Sequence, residues 1–169
     1  YDLEHARVYM TLFDLQKPVI AQIHGACLAG ATEPAGFCDL RVVADDAKIG
    51  WPVGRNWSPG NLQYIPWLVG MTRAKYYMFT CEPMTGIEAF EAHWASEHVP
   101  ADRLEERTEE LAQQIALTPT DLIITEFMVE PTIGFPEWML PLQLNRIDDQ
   151  TSVWRKNRLE AKRKEPDHP

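Results

Sequence analysis

The chain has 169 residues, 45% of them hydrophobic and 24% charged, with a formal net charge of −9. That length and balance suit one globular domain with its own core, and no apolar run reaches the roughly 18 residues of a membrane helix. The acidic balance argues against a nucleic-acid surface, because backbone phosphates call for lysine and arginine.

The first residues, Tyr1 to Met10, show neither a basic leader nor an apolar signal stretch. They open inside a helical pattern without an initiator methionine, so the chain reads as a fragment whose N-terminal part is missing. Leu3, Ala6, Met10 and Phe13 fall on one helical stripe over 3–15, and Lys17-Pro18 stops it. Residues 19–24 form an apolar strand. Small residues from Gly25 to Thr32 read as a Gly-rich turn. A short helix follows from about Gly30 to Phe37, tolerating Pro34 because that residue lies in its first turn. Leu40–Ala44 and Lys48–Trp51 read as two further strands, and residues 51–63 as a loop.

Helices then dominate, over about 61–69, 72–80, 86–93, 101–117, 120–130 and 137–163. Thr85 and Glu88 predict a capping box for the third of these. The aromatic group Tyr76, Tyr77 and Phe79 is expected in the core, and Trp138 to Leu142 at a helix interface, with pocket lining as the other reading. The basic stretch Trp154 to Lys164 reads as a solvated helix face or a frayed tail.

Stacked small residues behind a strand let a ligand or another backbone approach closely. A helix starting there aims backbone N–H groups and its positive end at that ligand. Glu33 lies three residues past Gly30, about one helical turn on and on the same side. The combination suits an enzyme that holds a carbonyl or thioester oxygen with backbone amides and works beside it with an acid or base. Plainer readings stand alongside. Gly25 and Gly30 also permit tight helix–strand packing, and Glu33 also suits an exposed position at a helix start.

The three cysteines, Cys27, Cys38 and Cys81, make neither a metal spacing nor an even disulfide set. Cys27 and Cys38 have apolar and small neighbours and read as buried thiols; a reducing cytoplasm is expected, or a mitochondrial matrix if a missing N-terminus carries a transit peptide. His5, His93, His98 and His168 show no ligand spacing, so no metal is expected. His24 reads as a turn residue.

One ordered set of segments resembles the enoyl-CoA hydratase/isomerase (crotonase) superfamily. These are Lys17–Ala21, His24-Gly25, Ala29-Gly30-Ala31 with Glu33, Cys38-Asp39-Leu40, Ala47-Lys48-Ile49-Gly50 and Leu68-Val69-Gly70. The resemblance implies an α/β fold, with part of a crotonase-like ββα spiral core over 1–100 and a C-terminal helical trimerisation region over 101–169. A short strand is then expected at 94–97. The implied substrate is an acyl-CoA thioester, with no cofactor beyond the coenzyme A that the substrate carries. The implied assembly is a homotrimer or dimer of trimers, with no nucleic-acid or membrane partner. Gly30 is implied as an oxyanion-hole donor with Ala29 beside it in substrate binding, the family adding a second N–H from an upstream loop. Glu33 is implied as one of two glutamates that hold and activate water.

The family's second glutamate position is Val53 here, and no Asp or Glu occurs between Asp46 and Glu82. Trp51, Arg55, Asn56 and Trp57 are expected around the pocket mouth. Arg55 and Asn56 suit a carboxylate or hydroxyl on the acyl group, and the two tryptophans an aromatic or alicyclic one. A surface loop packing its tryptophans on neighbouring helices is the other reading. The leading expectation is hydration or dehydration of an enoyl-CoA by an oxyanion hole and one glutamate. Hydrolysis, retro-Claisen cleavage or decarboxylation of a β-keto or cyclic acyl-CoA is the second, since these need the enolate hole but not both glutamates. A non-catalytic acyl-CoA-binding member is the third.

Overall fold

A computed structural model describes residues 8, 9, 11, 12, 15, 17–55 and 64–119, all within one compact unit, Tyr1–Ile123. Residues 8, 9, 11 and 12 are helical. The expected stripe of Leu3, Ala6, Met10 and Phe13, the helices at 120–130 and 137–163, Trp138 to Leu142 and the basic stretch lie outside the described residues.

The strands are β1 (Ile20–Ile23), β2 (Ala26–Leu28), β3 (Leu40–Ala44), β4 (Lys48–Gly50), β5 (Met84–Thr85) and β6 (Glu97–Val99). The helices are α1 (Thr32–Phe37), α2 (Ile65–Val69), α3 (Met71–Thr80), α4 (Gly86–Glu91) and α5 (Leu104–Ala116). Short 3-10 turns occupy Ala29–Ala31, Pro52–Arg55 and Ala101–Arg103.

Two three-stranded sheets form, in the orders β1-β3-β6 and β2-β4-β5. The first is parallel throughout, and β2 runs parallel to β4 while β5 runs antiparallel to it. The chain therefore gives one strand to each sheet and then a helix, and repeats: β1-β2-α1, then β3-β4 with α2 and α3. Each coil of this spiral lays its strands beside those of the coil before. Gly25 turns the first corner with φ +61°, a left-handed conformation that glycine adopts without a Cβ penalty. Its carbonyl accepts from Lys48 N at 2.7 Å, tying that corner to the next coil.

The core lies where the coils stack. β3 is flanked on both sides, and Val42, Val43 and Ala44 are fully buried, as a central parallel strand requires. Ala47, Ile49 and Trp94 complete its centre. α4 starts with the expected capping box: Glu88 N donates to Thr85 Oγ1 at 3.2 Å, and Thr85 N donates to Glu88 Oε2 at 2.7 Å. α5 buries Leu104, and Arg107 forks onto Glu97 of β6 at 2.6 and 2.7 Å.

Three expectations change. The Gly-rich turn contains a strand, β2, because Ala26, Cys27 and Leu28 find ladder partners in Lys48, Ile49 and Gly50. The strand expected at 94–97 starts at Glu97, since Trp94 and Ala95 close the turn after α4 through bonds to Ala89 O. Finally, Tyr76 and Phe79 are 60% and 80% exposed. The buried stripe of α3 runs through Ala74 to Cys81 with Tyr77 packed against the core, and the other two aromatics fall off it.

No helix among the described residues is long and apolar enough to cross a membrane. No group of metal-binding side chains occurs among them either.

Candidate active site

The site begins where β2 ends. Ala29 takes φ +52°, a left-handed conformation that costs an L-residue roughly 1 kcal/mol. It swings the chain out of the sheet into the 3-10 turn that carries Gly30. Gly30 falls in the first turn of that element, where backbone N–H groups lack an intrahelical acceptor. The residue is exposed, and a Cβ built on it meets no described atom within 4 Å. Close packing therefore does not explain the glycine among the described residues.

Thr32 joins this turn to α1. It is 3% exposed, its Oγ1 donates to Ala29 O at 2.7 Å, and its N–H faces the Ala29 and Gly30 carbonyls. Glu33 follows and is only 1% exposed. A carboxylate is almost never this buried without partners. Burial, then Glu33, raises the pKa of Tyr9; burial first, with Glu33 contributing, raises that of Tyr64 well above the usual phenol range.

α1 has six residues, too few to be stable alone. Two side chains that the sequence reading did not single out hold it. Tyr64 donates its hydroxyl to Thr32 O, and its ring lies against Gly36 and Phe37, with centroids 5.3 Å apart for the aromatic pair. Arg41, 6% exposed on β3, donates to Cys38 O at 2.7 Å, Gly36 O at 3.3 Å and Ala35 O at 3.4 Å, and also to Trp94 O. It caps the C-terminal end of α1 and sits 5.4 Å from the Trp94 ring centre. A charged residue inside the apolar run Leu40–Ala44 was the signal available for it.

The register of β2 and β4 brings a second turn alongside. Leu28 is paired with Gly50, so the Ala29–Ala31 turn and the Pro52–Arg55 turn leave the same end of one sheet on adjacent strands, about 4.8 Å apart. Trp51 is buried at the start of the second turn and Val53 is half-buried within it. Arg55 is exposed and directed to the end of α3, donating to Thr80 O at 2.6 Å and meeting Glu82 Oε1 at 3.4 Å. A substrate anion at Arg55 would compete with Glu82. Asn56 and Trp57 lie outside the described residues. A separate groove of about 830 Å³ runs between β1 and α5 and is lined by none of these residues.

A family model described as enoyl-CoA hydratase/isomerase matches residues 1–129. A crotonyl-CoA hydratase from Syntrophomonas wolfei is 34% identical over 112 residues, which is 64% of this chain and 43% of that protein. A short-chain-enoyl-CoA hydratase from Clostridium acetobutylicum is 35% identical with the same coverage. Among solved structures, an enoyl-CoA hydratase from Bacillus anthracis superposes with a TM-score of 0.71 at 28% identity, over 94% of this chain and 63% of that one. One from Mycobacterium smegmatis gives 0.68 at 36% identity, over 70% and 41%. This chain thus spans less than half the length of the curated relatives it matches.

Proposed function

Because the chain belongs to the enoyl-CoA hydratase/isomerase family and carries its crotonase-like α/β fold, we propose that it acts on an acyl-CoA thioester, hydrating or dehydrating an enoyl-CoA. The observation that carries this reading is the Gly30 turn running directly into the buried Glu33. In the hydration direction the Gly30 N–H binds the thioester oxygen. Glu33 takes a proton from water, whose oxygen bonds to the β-carbon. The C=C pair moves toward the carbonyl, and charge gathers on the oxygen at Gly30, where one backbone donor contributes roughly 3 kcal/mol. Glu33 then returns its proton to the α-carbon, completing addition of one water. Coenzyme A enters as part of the substrate.

Val53 supports a second reading. A second carboxylate is what lets one group take a proton while another delivers one, and the Pro52–Arg55 turn holds none. Hydrolysis, retro-Claisen cleavage or decarboxylation of a β-keto or cyclic acyl-CoA needs the enolate hole without that second group. The proposal also includes assembly as a homotrimer or dimer of trimers through residues 101–169. It further includes a reducing, cytoplasmic setting, which suits the free thiols of Cys27, Cys38 and Cys81.

Mass analysis of the product decides between the readings. Crotonyl-CoA gaining one water supports hydration. No change there, with a β-keto or cyclic thioester releasing free coenzyme A (hydrolysis) or carbon dioxide (decarboxylation), or gaining one water with cleavage of its C–C bond (retro-Claisen), supports the second reading.

A further inference from the structure

Thr32 is a buried polar residue at the junction of the two groups assigned to the chemistry. Its hydroxyl and N–H both reach back to the Gly30 turn. Its carbonyl carbon is bonded to the nitrogen of Glu33, so whatever holds that carbonyl holds the peptide plane from which Glu33 projects. The Tyr64 hydroxyl holds it.

The tyrosine is itself fixed. A Cβ at Gly36 would stand 2.1 Å from Cε2 of Tyr64, so the ring occupies the notch that the missing side chain leaves. Gly36 lies three residues after Glu33, on a neighbouring part of the same helical face. Tyr64 comes from the start of α2, beyond the Val53 turn. It therefore braces the first coil of the spiral from the second. Burial pushes its acidity far from neutral pH, which keeps the hydroxyl a donor throughout the working range.

Resting on the acyl-CoA reading above, we propose that Tyr64 and Thr32 are positioning residues, forming a polar brace that sets the Gly30 N–H and the Glu33 carboxylate at their reactive separation. The two groups sit on a three-residue turn and a six-residue helix, neither rigid by itself. A misplacement of 1 Å in such a pair costs on the order of 100-fold in rate. Ring packing alone does not need the oxygen, because phenylalanine would fill the same notch. Removing the oxygen leaves the buried Thr32 carbonyl without that donor, which carries a desolvation cost.

The test uses the full chain with crotonyl-CoA as probe. Tyr64→Phe keeps the ring and removes the donor; Thr32→Val removes the hydroxyl and Thr32→Ser restores it. The brace predicts that kcat falls about 10-fold in Tyr64→Phe and Thr32→Val, with KM within about twofold and near-normal kcat in Thr32→Ser. Circular dichroism should match the parent, and Glu33→Gln should silence turnover. Normal kcat in Tyr64→Phe while Glu33→Gln is silent overturns the brace alone. Equal losses in Thr32→Ser and Thr32→Val, or a kcat loss that follows the unfolded fraction, do the same. Unimpaired turnover in Glu33→Gln removes Glu33 from the chemistry and overturns the brace with it; no turnover in the parent overturns the hydration reading and the brace that rests on it.

Discussion

Leu28 and Gly50 stand side by side in the parallel pairing of β2 and β4. That one pairing places the turn carrying Gly30 next to the turn carrying Val53. It also sets where a second carboxylate would stand if Val53 were exchanged for one, because Val53 lies three residues beyond Gly50 on the neighbouring strand's exit. Val53→Glu should therefore raise crotonyl-CoA hydration at least about 10-fold, since a positioned acid or base contributes roughly 100-fold or more. The rate, followed as loss of the conjugated thioester absorbance, would be unchanged if Val53 were remote from the substrate.

Two glycines make opposite predictions. A Cβ at Gly86 would stand 1.9 Å from the Ala44 carbonyl oxygen, which belongs to buried backbone. Gly86→Ala should cost about 3 kcal/mol by urea denaturation. Gly30 has no such neighbour, so Gly30→Ala should change stability by less than about 1 kcal/mol. A side chain beside the N–H assigned to the thioester oxygen should hinder that contact, and turnover should fall at least about 10-fold. Full activity in folded Gly30→Ala would remove Gly30 from the site.

Arg41 holds the helix that carries Glu33. Arg41→Met would leave the buried carbonyls at the end of α1, and that of Trp94, without their shared donor. A loss of about 3 kcal/mol is expected. Arg41→Lys should recover little, because a single ammonium does not reproduce the guanidinium fork. An unchanged urea midpoint in Arg41→Met would show that water replaces the side chain.

What the residues revealed in advance divides by range. The capping box of Thr85 and Glu88 is a contact within one turn, and it was legible. The Gly30-to-Glu33 spacing was legible too, because a local turn joins the two. β2 was not, since Ala26, Cys27 and Leu28 have loop-like composition and become a strand only through pairing with residues 48–50. Tyr64 was hidden for the same reason: its partner Thr32 is 32 residues away. Tyr76 and Phe79 have the composition of core residues, but helical phase puts both beside the buried stripe.

Alkaline pH should loosen the fold. Burial pushes the Cys27 thiol from 9.0 up to about 11, and shifts Cys38 upward as well. The folded chain keeps these protons where the unfolded chain has lost them. Their stabilisation is thus complete below pH 9 and disappears as pH rises toward 11, by about 2 kcal/mol for Cys27. Urea midpoints between pH 8 and 11 should fall less steeply in Cys27→Ala than in the parent. Parallel slopes would mean that Cys27 titrates as an ordinary exposed thiol.

Whether Glu33 moves the proton is read most directly from kcat for crotonyl-CoA hydration in the parent and in Glu33→Gln, which keeps the side chain's size. A proton-transferring Glu33 requires a fall of at least about 100-fold with thioester binding retained. A Glu33→Gln protein that hydrates crotonyl-CoA at the parent rate would contradict it.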